Sequence, residues 1–363
     1  MAALIALPSM AFGIAVQGVL ERPALKVREP AKSVLIDVAV ADDRLVAVGE
    51  RGIIVYSEDA GNTWQQAQVP VSVGLTAVHF PSPQNGWAVG HGGVVLHTAD
   101  GGKSWERQLE GVQAAQMALE NAQAKAERVG PEDLDAQQMV DNANLLVKDG
   151  PDKPFLDLYF VNDRVGFVVG SYGLIFKTQD GGATWKCLMD SVENPQSLNL
   201  YAIRAAGDAV YLVGEQGLFL VSKDGGASFR QVATPYHGTY FDLFAYPSGE
   251  LVLVGLQGSA YWSADQGETF HKSEVAVGVS FTSVTPYRDD ILLFANQAGM
   301  LLESRDRGKT IKLIDAPRLA PVSSMAMMPG ADRDQHTIMT VGFGGAVRVQ
   351  LPASKESDKG AQP

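Results

Sequence analysis

Only one cysteine, Cys187, occurs in 363 residues, which excludes an internal disulfide framework and any cysteine-based metal site. Basic residues are also scarce: 29 Lys and Arg stand against 41 Asp and Glu, a formal charge of −12. A nucleic-acid binder needs a basic surface to displace counterions from phosphate, so that class is excluded. The six histidines show no helical zinc spacing, and neither a metal nor a cofactor is expected. No stretch beyond the N-terminus approaches the roughly 20 apolar residues of a membrane helix. What the chain has instead is 46% hydrophobic residues, a globular composition, and 38 glycines, which call for many tight turns.

Residues 2–16 carry no charge and are too few to span a bilayer. Ser9-Met10-Ala11, just after Pro8, has the small-x-small spacing of a signal-peptidase site. Residues 1–16 are therefore expected to be the latter part of a signal peptide, the basic part lying upstream of Met1, since the first basic residue is Arg22. The alternative is an apolar first strand. A lone cysteine is compatible with an oxidising compartment, and the expected location is the periplasm.

Six segments share one pattern: Ser57-x-Asp59-x-Gly61-x-Thr63-Trp64, Thr98-x-Asp100-x-Gly102-x-Ser104-Trp105 and Thr178-x-Asp180-x-Gly182-x-Thr184-Trp185, then copies centred on Asp224, Asp265 and Asp306. This is the Asp-box, or bacterial neuraminidase repeat. Its chemistry reads as structural: the Asp accepts backbone N–H groups across a hairpin turn, the Gly supplies positive φ, and the aromatic packs as the next strand begins. Seven residues before each Asp stands the second glycine of a Gly-x-x-Gly turn, from Gly49-x-x-Gly52 onward. The sixth copy is Asn296-x-x-Gly299, where Asn replaces Gly as a residue that tolerates a left-handed backbone. A seventh, Gly342-x-x-Gly345, has no box after it. Short β-rich runs between these turns give four-stranded units about forty residues apart, the signature of propeller blades. The expected fold is all-β: a seven-bladed β-propeller over residues 17–352, with a disordered tail at 353–363. The seventh blade lacks a fourth strand; Ala24–Val27 could supply it, and the alternative is a ring closed by packing alone.

Residues 111–150, after the second box, break the period. The alanine-rich 112–129 and the stripe Ala136, Met139, Val140, Ala143, Leu146 and Val147, stopped by Gly130-Pro131 and Gly150-Pro151, predict a helical hairpin. As a connection between blades, it shares a face with the Gly-x-x-Gly turns. That face is expected to bind a partner through Arg51, His91, Tyr172, Glu215, Gln257 and Phe343 of the turns and Met139 and Leu146 of the hairpin. The plainer alternative is that the hairpin only packs its stripe on the propeller.

Catalytic constellations are lacking. There is no Gly-x-Ser-x-Gly elbow, and Gly342-Phe-Gly-Gly345 has no following helix to make a phosphate loop. Glu50 and Glu215 fall on well-separated blades, too far apart for an acid–base pair. Asp-box propellers include sialidases, which need an arginine triad and usually Arg-Ile-Pro, but the only Arg-Pro here is Arg22-Pro23. No enzyme is expected; a glycan-binding or sialidase-like propeller is the alternative.

The stretches Asn85-Gly-Trp-Ala-Val-Gly-His-Gly-Gly-Val-Val-Leu-His-Thr-Ala-Asp-Gly-Gly-Lys-Ser-Trp105 and Asp163–Trp185 resemble the photosystem II assembly/stability factor family over roughly residues 34–351, with 111–150 as a departure. The resemblance implies a seven-bladed, non-enzymatic, exported protein that binds membrane proteins during assembly. Photosynthetic members hold their client with an arginine patch, and no such basic cluster occurs here. Similar propellers of non-photosynthetic bacteria are encoded beside resistance-nodulation-division-type exporters. That implies a periplasmic accessory subunit or assembly factor of an inner-membrane transporter complex.

Overall fold

The computed structural model describes residues 18–288, 290–328 and 336–352. The expected signal peptide and C-terminal tail lie outside the described residues. The described chain is mostly β, in seven sheets that follow one another in sequence. Their first strands are Leu35–Ala41, Leu75–His79, Phe155–Phe160, Leu200–Ala206, Tyr240–Ala245, Phe281–Pro286 and Val322–Met327. Each lies against the next, and the last meets the first, so the sheets close into a ring around these inner strands.

Second strands such as Gly86–Gly90 and Leu251–Gly255 are buried along their whole length, because neighbouring sheets cover both faces. Continuous apolar runs result where a one-sided sheet would alternate. Third strands end on the hydroxyl residue of a box, as at Ser57 and Thr98. In the first box, Asp59 Oδ1 accepts the Thr63 N–H at 2.8 Å and Oδ2 accepts the Thr63 hydroxyl at 2.6 Å, while Ser57 Oγ accepts the Gly61 N–H. Gly61 sits at φ 80°, where a side chain would be strained. The aromatics wedge between sheets: Trp64 packs between the seventh and first, Trp105 between the first and second, Trp185 between the second and third.

The first glycine of the Gly-x-x-Gly turn is extended, not left-handed; at Gly255 (φ −160°) a Cβ would run into the Thr239 carbonyl oxygen. Close approach excludes the side chain there. The residues held left-handed are the third of the turn, Arg51, Gly92, Tyr172, Gln216 and Gln257, at φ 54–73°, and its closing glycine, at φ 61–77° from Gly52 to Gly345. Asn296 occupies the first position for another reason, since its Oδ1 accepts the N–H groups of Ala298 and Met300 and so builds the turn itself.

Ala24–Val27 does not complete the seventh sheet, which has three strands among the described residues. Ala24 N–H donates to Val69 O, and Gln66 bonds Leu25 O and Val27 N–H, so this segment runs beside the outer strand of the first sheet. The ring closes by packing: Leu35, Val38, Leu45 and Val55 bury against Ala326, Met328, Met339 and Val341.

Helices α1 (Gly111–Val129) and α2 (Leu134–Asp149) form the inserted hairpin. Glu110 caps α1 by accepting the Val112 and Gln113 N–H groups, and Asp133 caps α2 by accepting that of Ala136. Gly130 and Gly150, at φ 94° and 80°, end them. Pro131 lies in the turn before α2. Neither helix is long and apolar enough to cross a membrane.

Candidate functional site: the turn face and the central channel

The Gly-x-x-Gly turns and the hairpin share one end of the ring. Ala114, Ala115 and Ala118 of α1 and Leu146 of α2 are buried in one cluster with Val89, Val95, Leu109 and Leu174 of the second and third sheets. Small side chains let α1 approach the sheets closely. Asn121 brackets the third sheet's linker, donating to Cys187 O and accepting the Asp190 N–H, and Arg128 pairs with Asp190 at 3.1 Å. Asn142 reaches Ser197.

Of the residues expected to meet a partner, Arg51, His91, Tyr172, Gln257 and Phe343 are exposed on this face, Tyr172 at 51% and Phe343 at 67%. Lys153 Nζ lies 4.8 Å from the centre of the Tyr172 ring. Glu215 is a brace: it accepts the backbone and side-chain N–H groups of Asn199, whose Oδ1 accepts the Tyr172 N–H at 2.7 Å. Met139 is half-buried in a groove between α2 and residues 189–197. Leu146 points inward and is 3% exposed. The outward apolar residues of the hairpin are Val112, Val129, Leu134, Leu145 and Val147, the last a member of the expected stripe. Leu134 and Leu145 fall off the stripe that packs, and an apolar residue out of helical register was the available signal.

A channel of about 730 Å³ runs through the ring. Every inner strand carries a bulge at its second residue. These second residues, Tyr201 and Phe241 among them, line the channel together with the third residues. Asp37, Asp157 and Asp242 hold the third position in the first, third and fifth sheets. Each carboxylate accepts a backbone N–H from the following sheet, of Val78, Ile203 and Val284 respectively, at 2.8–2.9 Å. Arg204 reaches Asp157 at 2.5 Å and Asp242 at 2.9 Å. Both carboxylates are clamped into a network that the sequence separates by tens of residues.

Burial pushes the Asp242 carboxyl up to about 6 despite Arg204, which pulls the other way. Burial and the Arg204 charge bring the His79 imidazole down to about 4. His79 Nδ1 accepts the Phe160 N–H at 3.3 Å, which assigns its proton to Nε2. The boxes behave oppositely, hydrogen bonds holding Asp265 down at about 2 against its burial. The signs follow from linkage. His79, depressed on folding, loses stability as pH falls from 6.5 to 4, whereas Asp242, raised on folding, gains it as pH falls from 6 to 3.8. With His79→Asn the effect of Asp242 remains, joined by Asp37, whose carboxyl burial also raises. Denaturant titrations should then show the variant becoming more stable between pH 6.5 and 5; a continued decline would refute the assignment.

Among the described residues no group of three or more His, Cys, Asp or Glu is placed to hold a metal ion. Cys187 is buried and its thiol pushed up to about 12 by desolvation, which leaves it unreactive.

The family model for the photosynthesis system II assembly factor YCF48 matches residues 19–126 and 138–237, more than half of the chain, and the gap falls at the end of α1 and the start of α2. No curated protein sequence matches. Among solved structures, YCF48 bound to a D1 peptide is similar at TM-score 0.61 and 17% identity, over 91% of this chain and 99% of that one. YCF48 from Cyanidioschyzon merolae is similar at TM-score 0.60 and 17% identity, over 88% and 96%. The WD40 β-propeller domain of Doa1 superimposes at TM-score 0.61 with 11% identity, over 93% and 97%. At these identities the likeness is one of fold, a β-propeller. The family match goes further: the chain belongs to the YCF48 photosynthesis system II assembly factor family.

Proposed function

We propose that this chain is a non-enzymatic, protein-binding propeller of seven blades, its six aspartate turns being Asp-boxes. In this reading it is exported to the periplasm and serves as accessory subunit or assembly factor of an inner-membrane complex, a resistance-nodulation-division-type transporter. The observation that carries protein binding is the placement of exposed apolar side chains. Tyr172, Leu256 and Phe343 of the turns and Val112, Leu134 and Leu145 of the hairpin share one end of the ring. Such a concentration marks a docking surface. A solved relative of this fold holds a D1 peptide, in keeping with a polypeptide client.

The glycan reading finds less support. Arg204 is the one arginine lining the channel among the described residues, and two aspartates occupy it. Affinity purification of the tagged mature protein from detergent-solubilised envelopes tests the proposal. Stoichiometric recovery of an inner-membrane transporter is expected. Recovery of the protein alone after crosslinking, with turnover of a fluorogenic sialoside, would favour the glycan reading.

A further inference from the structure

We infer that the ring is a chain of two-sheet plates, first with second, third with fourth and fifth with sixth, and that it opens at the seams between plates. Two sets of bonds at different heights show this alternation, and a third at the turn face follows it in two of the three plates. On the channel side, the carboxylates of Asp37, Asp157 and Asp242 bind backbone N–H groups of the second, fourth and sixth sheets. These bonds are charge-assisted and about twice as strong as neutral ones.

On the outer side, the linker leaving each odd sheet pairs in parallel with the even sheet after it. Gln68 pairs with Ser104, Val192 with Phe229, and Glu274–Val275 with Thr310–Ile311. At the turn face, Asn199 Oδ1 accepts the Tyr172 N–H, tying third to fourth, and Ser280 Oγ accepts the Gln257 N–H, tying fifth to sixth. The first plate has Gly74 at the corresponding place and lacks this bond.

Between plates the bonds are of other kinds. From the second sheet to the third, the Thr76 hydroxyl donates to Phe155 O and His79 accepts the Phe160 N–H. No backbone pairing joins those sheets among the described residues, and the hairpin lies across this seam from Gly93 to Asp190. From fourth to fifth, the links are ionic inside and outside, through Arg204–Asp242 and through Lys223 and Arg230 with Glu268, and at the turn face the Gly217 N–H donates to Gly238 O. The seventh sheet is held by hydroxyls, Thr282 and Thr285 donating to Val322 O and Met325 O and Ser324 bonding Asp37, with the Leu319 N–H donating to Gly299 O and Arg348 donating to Asn62 Oδ1 of the first sheet.

Native-state hydrogen exchange with mass spectrometry, on the full chain in sub-denaturing guanidinium, tests this. Expected are shared exchange isotherms for Leu35–Ala41 with Leu75–His79, for Phe155–Phe160 with Leu200–Ala206, and for Tyr240–Ala245 with Phe281–Pro286, the three differing from one another. Asp37→Ala should speed exchange about tenfold or more in the first two sheets and leave the third unchanged. If that variant does not fold, Gln68→Pro, which removes only the outer N–H bond to Lys103 O, carries the same expectation in direction. A single isotherm for the whole ring, or coupling between second and third or fourth and fifth sheets as strong as within plates, would overturn the inference.

Discussion

Replacing Arg204 by methionine is expected to lower folding stability by about 3–5 kcal/mol, the usual cost of stripping one partner from a buried ionic network. Asp157 and Asp242 are 9% and 7% exposed, and Arg204 is the cation that contacts both. Methionine fills most of the arginine's apolar stem but leaves two carboxylates facing each other without a counter-charge. Their N–H donors, Ile203, Leu243 and Val284, remain and offset part of the loss. The pH dependence separates charge from packing. Asp242 already titrates high, and without Arg204 it moves higher, so the deficit should shrink as pH falls from 7.5 towards 5. Guanidinium titrations at both pH values measure this. A loss below about 1 kcal/mol, or one unchanged with pH, would mean that the network contributes no net charge compensation.

Trp87→Ala should cost about 3–5 kcal/mol, from lost burial and the cavity left behind. Trp87 is 1% exposed on the second strand of its sheet and stacks on Phe160 of the next, with centroids 3.7 Å apart and planes 10° apart. Its Nε1 donates to Gln108 Oε1, and Gln108 donates in turn to Gly181 O in the third sheet's box turn. One indole therefore aligns a ring stack and a two-step hydrogen-bond relay across the seam beneath the hairpin. Trp87→Phe should recover most of the packing but not the relay, and so fall between wild type and alanine in denaturation midpoint. A variant indistinguishable from alanine would locate the effect in the hydrogen bond alone.

The sequence-to-structure relation differs by element. The box turns are legible because each is a local contract: Asp, Gly and hydroxyl lie within eight residues and bond one another. The hairpin is legible from alanine content and its stop signals. The role of Gly255 and its equivalents was not, since the carbonyl it must clear belongs to a residue sixteen positions earlier. The channel network was likewise hidden. Asp37, Asp157 and Asp242 are isolated in sequence, and only the packing of the third, fourth and fifth sheets side by side brings two of them to Arg204. Ala24–Val27 has a strand-like composition, yet its register places it beside Gln66 of the first sheet. Which apolar residues of α2 stay outside depends on how the hairpin sits, and Leu134 and Leu145 emerge while Leu146 does not.

If the turn-and-hairpin face holds the partner, repeating the envelope capture with Leu134→Glu, Leu145→Glu and Phe343→Glu combined removes the contact. These side chains are exposed, so the folding free energy should stay within about 0.5 kcal/mol of wild type. Recovery of the partner should fall about tenfold or more, since charges placed in an apolar contact are left unpaired on docking. Undiminished recovery of the same partner by the triple variant would contradict the account.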